Sequence, residues 1–144
     1  MVDMYSMLYP DWETDLFTFD VRIYGINDKI LTGFVDTGSD DSIITEEAYK
    51  KIRKLTFKYT AEVNTFDRSE EDKLSLPFTT IELEFFGLKR VGPLILARGY
   101  FKNLEKVEVL VGRRHLKNVV ITIDSEGSIN IVKKIPKRRH GKNR

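Results

Sequence analysis

Ile30-Leu31-Thr32-Gly33-Phe34-Val35-Asp36-Thr37-Gly38-Ser39-Asp40-Asp41-Ser42-Ile43-Ile44 decides how this chain of 144 residues is read. Ile30 to Val35 is apolar enough to predict a buried strand, and it ends on a carboxylate, a hydroxyl and a glycine. Asp36 to Asp41 is too polar to continue that strand, so a tight loop should follow, with Ile43-Ile44 returning to the core. Asp36-Thr37-Gly38-Ser39 occurs once. The plain reading of Asp36 is a turn aspartate that caps its own loop. The sharper reading is a reactive carboxylate delivered by a strand end.

Working outward, Phe17, Phe19, Val21 and Ile23 alternate with polar residues, the period of a half-buried strand. Gly25-Ile26-Asn27-Asp28 carries turn chemistry and joins that strand to the next as a hairpin. After Ile44, Thr45 is placed to cap a helix with Glu46 and Glu47 in its first turn and Lys50, Lys51, Arg53 and Lys54 toward its end, which suits the helix dipole. Ala48, Ile52 and Leu55 mark the inner face. Phe57 to Phe66 and Leu74 to Phe86 predict two strands joined by the charged tip Asp67-Arg68-Ser69-Glu70-Glu71-Asp72. Val91 to Ala97 follows, with Pro93 pointing to an edge or a bulge. Val107 to Val111, a short helical segment over Arg113 to Lys117, and a hairpin of Val119 to Asp124 with Ser128 to Val132 complete the chain. The expected class is all-β, a closed or nearly closed barrel with one or two short helices.

Composition sets the outer limits. At 41% hydrophobic and 32% charged residues the chain is globular, one domain over 1–132 with a basic tail over 133–144. No apolar run reaches membrane-spanning length, and the acidic Met1 to Ser6 stretch is unlike a signal peptide, so a cytoplasmic location is expected. With no cysteine, disulfides and thiolate metal sites are excluded. Seven of the last twelve residues are Lys or Arg, so the net charge of +2 conceals a body near −5. That tail reads as solvated, with polyanion contact as the alternative.

A second element lies far downstream: Val109-Leu110-Val111-Gly112-Arg113-Arg114-His115-Leu116. Together with the Asp-Thr-Gly-Ser stretch it resembles the retropepsin-like aspartic proteases, over roughly Phe17 to Val132. The resemblance implies an acid-protease barrel and a homodimer, because two carboxylates must share one proton and each chain supplies only one. It further implies that Asp36 is catalytic, that Thr37, Gly38 and Ser39 support it, and that Gly38 and Asp40 meet substrate. Thr37 would bond across the two-fold axis, Ser39 would donate to the Asp36 carboxylate, and Asp40 would pair with Arg113. The hairpin from about Phe57 to Phe86 takes the place of the family's flap, although its tip is charged where retroviral tips are glycine-rich. The substrate would be an extended or unfolded peptide, with no cofactor and no metal.

Other residues attract plainer readings. Asp124 precedes Ser125-Glu126-Gly127 but lacks an adjacent glycine, so it reads as the entry to a turn. His115 and His140 read as solvated surface residues. Two competing functions remain: a peptide-binding or dimerisation module of the same fold without turnover, and nucleic-acid association through the tail.

Overall fold

The computed structural model describes residues 17–52, 54–63, 74–98 and 106–136. Met1 to Asp15, Arg53, the charged tip Asp67 to Asp72, His140 and the tail from Lys137 onward lie outside the described residues. The protein is mostly β, with nine strands among the described residues: β1 (Thr18–Ile23), β2 (Ile26–Val35), β3 (Ser42–Thr45), β4 (Tyr59–Val63), β5 (Leu74–Phe85), β6 (Leu88–Ala97), β7 (Val109–Val111), β8 (Val119–Ile123) and β9 (Ile129–Lys133). Helix α1 (Glu46–Ile52) follows β3 and is the one helix among the described residues.

Seven strands form one sheet in the order β1-β2-β7-β3-β6-β5-β4. Arg22 and Ile23 of β1 also pair with Glu84 and Leu83 of β5, which turns six of these strands into a hydrogen-bonded ring. β4 and β1 occupy separate stretches of the same sheet order, both against the twelve-residue β5. β8 and β9 make a separate two-stranded ladder.

The main core is Val21, Ile23, Leu31, Ile44, Leu83, Phe85, Leu94, Leu96, Val109 and Val111, with Ala48 and Ile52 of α1 packed on it. A second apolar cluster gathers Ile43, Leu110, Ile95 and Leu76, with Phe34 and Phe78 beside them. Because neighbours along a strand face opposite ways, the two clusters lie on opposite faces of the sheet. Register makes the second one a row: Phe34 pairs with Leu110, Leu110 with Ile43, Ile43 with Ile95, and Ile95 with Phe78.

Local chemistry explains most boundaries, and three expectations need correction. The first turn is Tyr24-Gly25, not Gly25 to Asp28, since Ile23 pairs directly with Ile26 and Ile26 is buried. Gly25 has φ 85°, a left-handed conformation that glycine adopts without a Cβ penalty. β4 starts at Tyr59 rather than at the expected Phe57, and residues 64–66 of that expectation lie outside the described residues. The edge reading of Pro93 holds locally: it is one residue before the stretch of β6 that pairs with β3, so among the described residues β6 has a single neighbour there. The segment Arg113 to Lys117 is a run of turns rather than a helix, closed by Leu116 N–H on Arg113 O and by Asn118 at φ 60°. α1 begins where its cap requires: the Ala48 N–H donates to Thr45 Oγ1 at 3.2 Å.

Candidate active site

Two strand ends build the site. β2 and β7 run parallel, with Gly33, Phe34 and Val35 opposite Val109, Leu110 and Val111. Gly33 packs tightly here, because a Cβ would overlap Val21. At the end of the pair the Asp36 N–H donates to Val111 O at 2.9 Å, so the last rung of the ladder belongs to the carboxylate residue itself. The chain then turns, with Ser39 N–H on Asp36 O at 3.3 Å and Gly38 N–H on Asp36 Oδ1 at 3.1 Å. Donation to a carboxylate oxygen fixes its rotamer. Asp36 is half-buried, and Thr37 and Gly38 are exposed.

The turn after β7 clamps this loop from below. Arg113 N–H donates to Ser39 O and Arg114 N–H to Asp40 O, both at 2.9 Å. Gly112 permits the approach, since a Cβ there would run into the Asp41 backbone. Side chains repeat the contact. Arg113 Nη2 donates to Asp40 Oδ1, and Arg114 Nη1 donates to Asp41 Oδ1 at 2.8 Å. The second of these pairs is a finding that sequence reasoning missed; the adjacent Asp40-Asp41 and Arg113-Arg114 doublets were the signal for it.

Ser39 differs from expectation. Its hydroxyl donates to Asp41 O at 2.7 Å, so it closes the loop on itself and does not serve the Asp36 carboxylate. The loop brings Asp36, Gly38, Ser39, Asp40 and Arg113 together, whereas Thr37 stays at its exposed tip. Asp124 Oδ1 accepts from Glu126 N–H and Ser128 N–H, at 2.9 and 3.1 Å, which is turn capping.

His115 is the largest correction. It is fully buried, not solvated, because the turn after Gly112 carries it inward onto β6. Its Nδ1 lies 2.6 Å from Ser42 Oγ and its Nε2 lies 3.1 Å from Ile81 O. Burial, outweighing the Ile81 bond and the Asp41 charge, holds its pKa below 6.5. The flanking arginines and lysine hid this position in the sequence; Gly92, in the middle of an apolar strand, was the available hint, since its missing side chain is where the ring sits.

Among the described residues no group of acidic, His or Cys side chains could hold a metal ion, and no helix is long and apolar enough to cross a membrane. The chain matches no protein-family model and no curated protein.

Proposed function

We propose that this chain is one half of a homodimeric, cytoplasmic aspartic endopeptidase of the retropepsin-like kind. Two Asp36 carboxylates, one per chain, would hold a water between them. One would take a proton from that water while the other, protonated, donates to the peptide carbonyl. The reaction needs no cofactor. The observation that carries this reading is Asp36 at the end of a parallel strand pair, its carboxylate oriented by Gly38 N–H and its loop clamped by Arg113.

Two further features support it. Among the described residues a Cβ on Gly38 would have one contact, Asp36 Oδ1 at an ordinary 3.4 Å, which leaves room there for a facing loop or a substrate to come close to the backbone. Phe34, two residues before Asp36, heads the apolar row through Leu110 and Ile43. Phe34 and Phe78, the partly buried ends of that row, would be the ones to meet apolar side chains of an extended peptide, under a flap formed by the β4–β5 hairpin. The hydrogen-bonded ring of strands is, on this reading, the acid-protease barrel.

The test is digestion of a denatured protein from acid to neutral pH, with and without pepstatin. Asp36→Asn should cost at least about a hundredfold in rate, the low end for general acid–base groups, while sedimentation still reports a dimer. Retained cleavage in that variant ends the proposal. The charged flap tip favours one other reading, a module that binds peptide without turnover, and binding without cleavage in the same assay would select it.

A further inference from the structure

Ser42, His115 and Ile81 form a buried chain of hydrogen bonds behind the Asp36 loop. Ile81 O can only accept, so His115 Nε2 carries the ring proton. The neutral ring then presents a bare Nδ1, and the Ser42 hydroxyl donates to it. Ser42 Oγ in turn accepts from Gly112 N–H at 2.9 Å. Three separate pieces of the molecule meet in this chain: the start of β3 just after Asp41, the Gly112-Arg113 turn that clamps the loop, and β5, which runs up into the flap hairpin. Ser42 and His115 are both at 0% exposure, and the ring fills the space over Gly92, where a Cβ would come within 3.0 to 3.2 Å of three ring atoms.

We propose that His115 is a positioning residue which, as the neutral Nε2–H tautomer, locks the Asp36 loop, the Gly-Arg turn and the flap-bearing strand into one arrangement that comes apart when the ring is charged. A second ring proton would place N–H against O–H across the Ser42 contact. The hydroxyl would have to turn its own proton away inside a side chain with no exposed surface. Gly112 N–H shares that oxygen, so the disturbance passes directly to the turn holding Asp40 and Ser39.

The one charge that shifts the ring works against burial without overturning it. Asp41 is the one acid on the loop side that favours a charged ring, and Arg114 already pairs with it. On β6, Arg90 is two residues from Gly92 and on the same face, and its Nε and Nη2 are buried without a hydrogen-bond partner. Its charge is not among the causes that shift the ring. On β5, Glu82 alternates with Ile81 and Leu83 and so faces the other way. On its own turn, Arg113 and Arg114 reach solvent and Lys117 is exposed. Burial therefore decides the balance, and the ring resists protonation below its ordinary value.

The activity side of this proposal rests on the endopeptidase reading, so the test has two arms. In the 15N-labelled full chain, side-chain NMR should show His115 as the neutral Nε2–H tautomer at pH 7, titrating below 6.5, with the Gly112 and Gly38 amide shifts moving in step. A charged ring at pH 7, the Nδ1–H tautomer, or amides indifferent to the titration overturns the proposal. For cleavage, His115→Asn keeps an acceptor toward Ser42 but cannot titrate and cannot reach Ile81. Its rate at neutral pH should fall, and the acid limb of its kcat/KM profile should move to lower pH. A group that only holds the fold would scale the whole profile without moving that limb, and such a result also overturns the proposal. Should this variant fail to fold, the wild-type titration decides alone. Coupled amide shifts in a protein that cleaves nothing would remove the peptidase and leave the lock; cleavage with an unmoved acid limb would do the reverse.

Discussion

The N–H of Asp36 donates to the carbonyl of Val111 at 2.9 Å, and this bond joins two stretches of chain far apart in sequence. It makes the carboxylate residue the first of a loop directly after β2 ends at Val35, held on the strand side by β7 and beyond it by Arg113 and Arg114. A backbone anchored at both ends of a six-residue loop keeps its side chains in place without relying on their own packing.

The two loop glycines should separate cleanly. Gly112→Ala forces a methyl group into the Asp41 backbone, which has no soft side chain to move, and should cost about 1–3 kcal/mol or more in urea unfolding. Gly38→Ala has room within its own chain and should leave protomer stability nearly unchanged. On the proposed function it should nevertheless weaken dimerisation and cleavage, read by sedimentation and by the digestion assay.

Asp40 and Arg113 form an exposed pair, with side chains 61% and 59% accessible. Solvent screening limits such a pair, so a double-mutant cycle with Asp40→Asn and Arg113→Met should give a coupling below about 1 kcal/mol. If Asp40 also meets substrate, KM should rise by more than that coupling explains.

Ser39→Ala removes a hydroxyl that serves Asp41 O rather than Asp36. Stability should fall by about 1 kcal/mol, as for other partly buried hydrogen bonds. The pH optimum of cleavage should stay where it is in the wild type. A shifted optimum would mean that the hydroxyl reaches the carboxylate after all.

Stability should depend on pH through His115. Its folded pKa is depressed, so above 6.5 both folded and unfolded chains carry a neutral ring and the full stability is present. As pH falls below 6.5 the unfolded chain takes up the proton first, and stability declines until the folded pKa is passed. Urea titrations of wild type and His115→Asn between neutral and acid pH should differ by this component, which the variant lacks.

Thr45→Ala should cost about 1 kcal/mol by stranding the Ala48 N–H at the start of α1. Thermal unfolding followed by circular dichroism measures it, and Thr45→Ser should recover most of the loss.

Local pattern alone determined a good part of this protein. The alternation over Phe19 to Ile23, the strand running into Asp36, the Thr45 cap and the final hairpin are each written in the periods and turn residues of a single segment, and all are present, whereas Phe17, read with the first strand, is a turn residue at φ 62°. The loop of Asp36, with its polar residues and glycine, was legible for the same reason. Tertiary structure decided what no segment contains. The parallel pairing of β2 with β7, the contact of β1 with β5 that makes a ring, the turn of Ser39 away from Asp36, and the burial of His115 against Gly92 all depend on surfaces contributed by distant residues. Propensity and periodicity describe a residue's neighbours along the chain, whereas a hydrogen-bond partner or a buried ring is chosen by neighbours in space.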